Sequence, residues 1–198
     1  MRTPEPIKPI KTLGRGRCRI LRIYGAALLI AHGVSMGAHA QDTDSLGTAG
    51  TATSLRQALA TAGDRGDRLG ALWALADFYQ ERGEYREASR YIESAGAESR
   101  NGIERSLTAL RAGGIATGLG RYAQASSYLG IAIEGKPLLD AGSSIALELE
   151  LGRLAAEQDA LESAVAHFDT AAAEAGAAGL ADLEVRANIN SLRARMDD

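Results

Sequence analysis

His167 is the side chain best suited to acid–base chemistry in this sequence, because an imidazole titrates near neutral pH. The other two histidines, His32 and His39, lie close to the N-terminus. No Ser or Cys nucleophile motif accompanies His167, and Asp169 falls on a different face of the predicted helix. A lone titratable group lacks the partners that catalysis requires. We therefore interpret His167 as an ordinary helix residue and predict no enzyme activity.

The patterns that bind metals and phosphates are also incomplete. After residue 40 the chain has one histidine and no cysteine, which is too few for a zinc site. Its aspartates do not follow the spacing of a calcium loop. The pairs Gly113-Gly114 and Gly118-x-Gly120 lack the preceding strand and the Lys-Ser/Thr of a phosphate-binding loop. We therefore predict no metal and no cofactor.

The elements that carry these residues are helices separated by a recurring turn. Residues 83–88, 120–125 and 158–164 each combine a tight turn, a bulky apolar residue and an alanine three residues later. The alanines are Ala88, Ala125 and Ala164, and the two intervals between them are nearly equal. A regular interval of this size, with helical sequence between the turns, indicates a stack of helical hairpins.

Hydrophobic periodicity predicts eight helices, with a polar turn at 63–67. The sixth helix is predicted to be capped by Ser143 or Ser144. The eighth is predicted to close the stack with a face that becomes polar towards its end. The predicted helices are 54–62, 69–82, 85–95, 103–119 and 122–134, then one that follows the Ser143 or Ser144 cap and runs through Leu154, and finally 160–175 and 180–196.

The recurring positions resemble those of tetratricopeptide repeats, in which small residues on two paired helices allow close approach. The departures are Ala116 in place of an aromatic residue, and Asp159 and Leu161 in place of Gly and Tyr. The matching residues are Ala76, Tyr79, Gly83, Tyr85, Ala88 and Ala95, then Gly113, Gly120, Tyr122, Ala125, Ala132 and Pro137, then Gly152, Ala164, Phe168 and Ala171.

The resemblance covers residues 54–196 and implies an all-α fold. This fold is a right-handed α-solenoid of antiparallel helix pairs, with about three repeats plus flanking capping helices. The alternative is a plain antiparallel helical bundle in which the similar turns arise by chance.

The resemblance also implies that the first helix of each pair lines a concave groove that binds a protein or peptide. Asp77 and Glu81 would repel a terminal carboxylate, so the expected ligand has a basic end. The predicted groove residues are Trp73, Asp77, Gln80, Glu81, Leu110, Gly114, Thr117, Leu149, Arg153, Ala156, Glu184 and Asn188.

Trp73, the sole tryptophan, has two interpretations. It is either a tryptophan packed on a neighbouring helix or an anchor for a peptide, since Trp is enriched at interface hot spots. The predicted function is non-catalytic binding of a protein or peptide as a scaffold or adaptor. The alternative is a small-ligand carrier, or an accessory subunit of an envelope enzyme, with a pocket near Trp73 and His167.

The N-terminus predicts secretion. A cluster of arginines precedes the apolar run 23–31, and Ala38-His39-Ala40 supplies the small side chains that a signal peptidase accepts. This order predicts a signal peptide over residues 1–40, cleaved between Ala40 and Gln41. The alternatives are a disordered leader or an uncleaved anchor. The expected protein is exported, and is either periplasmic in a bacterium or secreted.

The predicted mature chain consists of a flexible linker at 41–53, rich in Thr, Gly and Ser, and a repeat domain at 54–198. It has 15 basic and 24 acidic residues, a net charge of −9. Phosphate backbones repel such a surface, so neither nucleic acid nor an anionic membrane is an expected partner. No stable membrane insertion is expected, because the apolar run is shorter than the roughly 20 residues that a spanning helix needs.

Overall fold

The computed structural model describes residues 44–196, with side chains from residue 51 onward. The predicted signal peptide, its cleavage position and residues 41–43 of the predicted linker lie outside this part of the chain. The described residues form helices and no strand, and none of the helices has the length and apolar character needed to cross a bilayer. The α-helices are α1 Asp44–Ala60, α2 Arg65–Glu81, α3 Tyr85–Glu98, α4 Gly102–Gly118, α5 Tyr122–Glu134, α6 Ala141–Glu157, α7 Leu161–Ala178 and α8 Ala181–Met196, with a 3₁₀ turn at Lys136–Leu138.

Side-chain caps recur at the start of alternate helices. Asp64, Asn101 and Asp140 each accept a hydrogen bond, at 2.7–2.9 Å, from the backbone N–H three residues ahead. They precede α2, α4 and α6, and the intervals between them equal those between the recurring alanines of the sequence. Such a cap satisfies a backbone donor that has no partner inside the helix, and typically contributes about 1 kcal/mol.

The cap of α4 also joins neighbouring helices. Glu104 completes a capping box with Asn101, and its carboxylate oxygens accept two hydrogen bonds of 2.8 Å from the Arg65 guanidinium. Hydrogen bonding to Arg65 lowers the pKa of Glu104 to about 2, so this carboxylate stays ionised far below neutral pH. Arg65 also donates to the backbone carbonyl oxygen of Glu98 at 2.8 Å. One arginine therefore connects the first turns of α2 and α4 to the last turn of α3.

The same type of turn ends α2, α4 and α6. Gly83, Gly120 and Asp159 have φ between 61° and 72°. In each turn the following residue donates its backbone N–H to the carbonyl oxygen five positions earlier, at 2.8–2.9 Å. This pattern is the Schellman motif, in which glycine avoids the steric cost of a left-handed conformation. The prediction that Asp159 occupies the turn position of a glycine is confirmed.

Completely buried alanines lie in the first turn of the odd-numbered helices α3, α5 and α7. Ala88, Ala125 and Ala164 are the fourth residues of these helices and are completely buried, as the sequence predicts. About two helical turns further on lie three more completely buried alanines. They are Ala95, Ala132 and Ala171.

Glycine allows α4 and α6 to lie close to their partner helices. A Cβ atom on Gly113 would lie 2.6 Å from Leu129 Cγ of α5. A Cβ atom on Gly152 would lie 2.6 Å from Phe168 Cε1 of α7. Both distances are too short for any side chain, so the buried Leu129 and Phe168 occupy the space that a larger residue on α4 or α6 would need.

The helices pack in adjacent pairs along the chain, from α1 against α2 to α7 against α8. In addition, α2, α4, α6 and α8 contact one another in that order, so the even-numbered helices stack side by side. The buried apolar residues form three clusters. Each cluster is built from one odd-numbered helix and the two even-numbered helices that flank it.

Several predicted helix starts are wrong, two of them because the cap lies elsewhere. Helix α1 begins at Asp44 and covers residues 44–53, which were predicted to be a linker, and Ala52 within it is buried. Helix α2 begins inside the predicted polar turn, because Asp64 caps it. Asp140, rather than Ser143 or Ser144, caps α6, which therefore begins at Ala141.

The last helix does not present a polar outer face. Ala187, Ser191 and Ala194 of α8 are buried. On the face predicted to become polar, Ala187 is buried and Arg193 is exposed. Large apolar side chains occupy the solvent side of this helix. They are Val185, Ile189, Leu192 and Met196.

Alanine substitutions at two helical glycines should change stability in opposite directions. Alanine is favoured over glycine in a helix interior by about 1 kcal/mol. Gly130 has no other group within 4 Å of an added Cβ, so Gly130→Ala should stabilise the fold by about this amount. Gly113→Ala should instead destabilise it by about 1–3 kcal/mol, because the new methyl group collides with Leu129. Urea unfolding measures both values, and a stabilised Gly113→Ala would contradict the close approach of α4 and α5.

Candidate functional site

Trp73 lies on α2 and is only 4% exposed. Its indole N–H donates to Thr108 Oγ1 of α4 at 2.9 Å. The guanidinium of Arg111 lies over the indole ring, 5.0 Å from the centroid. A ring that is covered and has its N–H satisfied belongs to the packing between helices. The hypothesis that Trp73 is an exposed peptide anchor is therefore wrong, and the packing interpretation holds.

Three further residues of the predicted groove are also core residues. Leu110 and Leu149 occupy the positions on α4 and α6 that are equivalent to Trp73 on α2, and all three are buried. Thr117 is buried, and its hydroxyl donates to the Gly113 carbonyl oxygen at 3.0 Å. Assignment of Trp73 and of these three residues to a groove is wrong, because even-numbered helices pack against each other as well as against odd-numbered ones. Each even-numbered helix therefore buries a wider face than it would if it packed against a single partner helix.

Asp77 remains at the surface, where it pairs with a neighbouring helix. Its two carboxylate oxygens lie 3.0 and 3.1 Å from Arg111 Nε of α4. The same guanidinium covers the Trp73 ring, so Arg111 is held between an aromatic face and a carboxylate. The Asp77 side chain is 38% exposed, which leaves it accessible to a ligand.

Gly114 lets side chains from two flanking helices meet over α4. A Cβ atom on Gly114 would lie 2.9 Å from Gln80 Nε2 of α2 and 2.9 Å from Glu150 Cδ of α6. Arg153 of α6 donates a hydrogen bond to the Gly114 carbonyl oxygen. Asp77, Gly114 and Arg153 follow one another at the same two intervals as the caps, so equivalent positions on three helices lie in a row.

The ion pair beside Gly114 is incompletely satisfied. Arg153 Nη2 lies 3.0 Å from Glu150 Oε2, but without hydrogen-bond geometry. Glu150 Oε2 and Arg153 Nε are buried and have no hydrogen-bond partner among the described residues. A buried polar atom without a partner costs about 1–3 kcal/mol. This pair therefore contributes little to stability.

Electrostatic interactions extend this row from α2 to α8. Burial raises the pKa of Glu150, Asp77 raises it further, and Arg153 and Arg186 oppose the rise. Burial and the negative charge of Asp77 also raise the pKa of Glu81, while Arg186 opposes this rise. Negative charge is thus concentrated at the α2 end of the row. We call these residues the polar row, which comprises Asp77, Gln80, Glu81, Arg111, Gly114, Glu150, Arg153 and Arg186.

The two residues predicted from α8 lie on a different edge of that helix. The Glu184 carboxylate lies against α7, 3.5 Å from the position of a Cβ atom on Gly176. Asn188 is exposed and follows Glu184 by one turn, so it lies on the same edge. Arg186 is rotated by about 200° from Glu184 and instead acts on the polar row. Glu184 and Asn188 therefore do not lie on the edge of α8 that carries Arg186.

His167 belongs to a separate network. Its Nδ1 lies 2.9 Å from Glu148 Oε2, while Lys136 Nζ donates to Glu148 at 2.6 Å and to Glu174 at 3.0 Å. Burial raises the pKa of Glu148, but Lys136 and His167 outweigh this effect and lower it overall. The network ties the 3₁₀ turn to α6 and α7. The hydrogen bond and the ring contact of Trp73 reach Thr108 and Arg111 of α4, so neither brings Trp73 to His167.

Sequence reasoning missed Arg111, Glu150 and Arg186. A usable signal was present for Arg111, because it is a charged residue within a stretch of α4 that otherwise carries no charge, and for Glu150, because leucines flank it on both sides. Charged side chains are seldom placed in such stretches without a partner. No comparable signal distinguished Arg186, because α8 lacks the recurring turn that sets the register of the other helices.

No protein-family model, curated protein or solved structure matches this chain. Among the described residues, His, Cys, Asp and Glu side chains form no group of three that could hold a metal ion. The polar row is therefore the feature of the described residues whose geometry and charge bear on function.

Trp73→Ala should destabilise the fold rather than remove a binding contact. Loss of a buried aromatic side chain typically costs about 3–5 kcal/mol. Trp73→Phe should cost less, because it retains a ring under Arg111 and loses the hydrogen bond to Thr108. Urea unfolding followed by circular dichroism measures both. A Trp73→Ala variant as stable as the wild type would contradict the packing role.

Proposed function

We propose that this protein is a non-catalytic scaffold or adaptor that binds a protein or peptide in the cell envelope. In this proposal the chain is a right-handed solenoid of about three tetratricopeptide-like repeats, with α1 and α8 as flanking helices. The ligand lies along the even-numbered helices. The observation that carries the proposal is the polar row, which joins charged side chains of α2, α4, α6 and α8 on one side of the stack.

The repeat assignment is supported by features that recur together. Capping side chains, left-handed turn residues and buried alanines all recur at the same two intervals along the chain. A chance similarity of turns in a simple bundle would not place caps, turns and packing residues in one phase. A stack of repeats exposes equivalent positions of successive helices as an extended binding surface.

The charge of the polar row defines the ligand we expect. Glu81 is accessible at the surface, but the neighbouring protein partly desolvates its carboxylate, and this desolvation and the charge of Asp77 raise its pKa. A cation placed beside Glu81 and Asp77 would relieve their mutual repulsion, whereas a carboxylate would increase it. We therefore propose a ligand that presents a lysine, an arginine or an amino terminus at the α2 end of the row.

The alternative of a small-ligand carrier with a pocket near Trp73 and His167 is not favoured by any observation. Trp73 packs with Thr108 and Arg111, and His167 pairs with Glu148. A pocket built from both residues would have to span two separate networks.

Charge reversal at Glu81 tests the ligand assignment. Glu81→Lys should weaken binding of a lysine-rich peptide about tenfold, equivalent to about 1.4 kcal/mol, because it replaces attraction with repulsion. Glu134→Lys makes the same charge change at an exposed position of α5 and should leave affinity nearly unchanged. Fluorescence anisotropy with basic and acidic peptides of equal length measures both.

Three results of this experiment would refute the assignment of the polar row as the binding surface. The first is equal affinity of the wild type and Glu81→Lys for the basic peptide. The second is equal loss in both variants, which would indicate a net-charge effect. The third is preference of the wild type for the acidic peptide.

Export is the second part of the proposal. The chain expressed in a bacterial host should be recovered from the periplasm or the medium with residue 41 at its N-terminus, because Ala38 and Ala40 fit a signal peptidase. Intact-mass measurement identifies the first residue. Recovery of the full-length chain from the cytoplasm alone would contradict export.

A further inference from the structure

Helix α8 has a stripe of large apolar side chains on its solvent side. Val185, Ile189, Leu192 and Met196 follow one another at intervals of four, three and four residues, which places them on one face. Their exposure ranges from 44% to 84%. The opposite face of α8 is buried against α7. An exposed stripe of this size on a helix whose inner face is already packed marks an interaction surface.

Charged residues lie on both edges of the stripe. At about 100° per residue, Asp182, Arg186 and Arg193 lie along one edge, and Glu184 and Arg195 lie along the other. Each edge thus has an acid in the first turn of α8 and a base in the last turn. Such a surface complements itself when the second helix runs in the opposite direction.

We propose that α8 pairs with α8 of a second copy of this chain, antiparallel and about a two-fold axis. With the axis between Asn188 and Ile189, Val185 of each copy faces Leu192 of the other. A two-fold axis brings each edge against the same edge of the second copy in reverse order. The inference is independent of the proposed function of the polar row.

The same axis pairs the charges on both edges. Asp182 of each copy then meets Arg193 of the other, and Glu184 meets Arg195. Arg195 already pairs with Asp169 of its own chain at 2.6 Å, so Glu184 joins an existing ion pair. A parallel arrangement would instead oppose acid to acid and base to base, with helix dipoles aligned.

The expected dimer is weak. Helix α8 has 16 residues and is about 24 Å long, so a contact one helix wide lies at the lower end of specific interface sizes. We expect a dissociation constant in the micromolar range.

Sedimentation equilibrium of the full chain over a wide range of micromolar concentrations tests the dimer. The wild type should shift from monomer to dimer as concentration rises. Ile189→Glu should remain monomeric throughout, because it places two carboxylates against each other near the axis. Ile131→Glu is the matched control, since Ile131 of α5 is also 44% exposed, and it should dimerise like the wild type.

Disulfide trapping tests the orientation. In a Cys18→Ser background, a mixture of Val185→Cys and Leu192→Cys chains, one carrying a tag that changes its size, should yield mainly the mixed cross-linked product. Preference for products of two identical chains would indicate a parallel pair and would overturn the antiparallel proposal.

Other occupants of the stripe would appear as different outcomes. A wild type that is monomeric at every concentration overturns the proposal. In that case, an Ile189→Cys thiol protected from alkylation would assign the stripe to another segment of this chain. A thiol that reacts readily would show that the stripe is uncovered in this chain, and its occupant would then be a different protein. Dimers that persist in Ile189→Glu would also overturn the proposal, because their interface must lie elsewhere.

Discussion

Close approach of paired helices is possible here only where side chains are small or absent. Gly113 and Gly152 lie beneath Leu129 and Phe168 at distances that admit no Cβ atom, and the odd-numbered helices meet their partners through completely buried alanines such as Ala125. Because these contacts recur with the same spacing as the caps and turns, the length of each helix pair is constrained. An insertion within one pair would displace its small residues from the large side chains that they accommodate.

The sequence predicted the local structure of this fold well. The turn at Asp159 was inferred although an aspartate replaces the expected glycine, because its place in the repeat outweighed its residue type. Helix starts were predicted less well, since several residues near each start could serve as caps. Asp140 precedes Ser143 and Ser144, and only the three-dimensional course of the chain determines which oxygen reaches a free N–H.

The candidate site was predicted only in part, for a reason that concerns packing. Trp73, Leu110 and Leu149 occupy the edge of the apolar stripe on their helices, and a helix paired with one neighbour would expose that edge. Each even-numbered helix has further even-numbered neighbours, so the edge is covered. Asp77 and Arg153, one helical turn after Trp73 and Leu149, lie outside this contact and are partly exposed. The role of Gly114, which is to leave room for Gln80 and Glu150 above α4, becomes evident only when the positions of these two side chains are known.

The caps and turns act within a few residues, and most of the packing between the described helices joins helices that are adjacent or next but one along the chain. Chains dominated by contacts between residues close in sequence have low contact order and fold quickly. Each hairpin can therefore assemble soon after its second helix is synthesised, before the rest of the chain exists. The same locality limits cooperativity, so unfolding is expected to begin at a terminal helix and to proceed inward pair by pair.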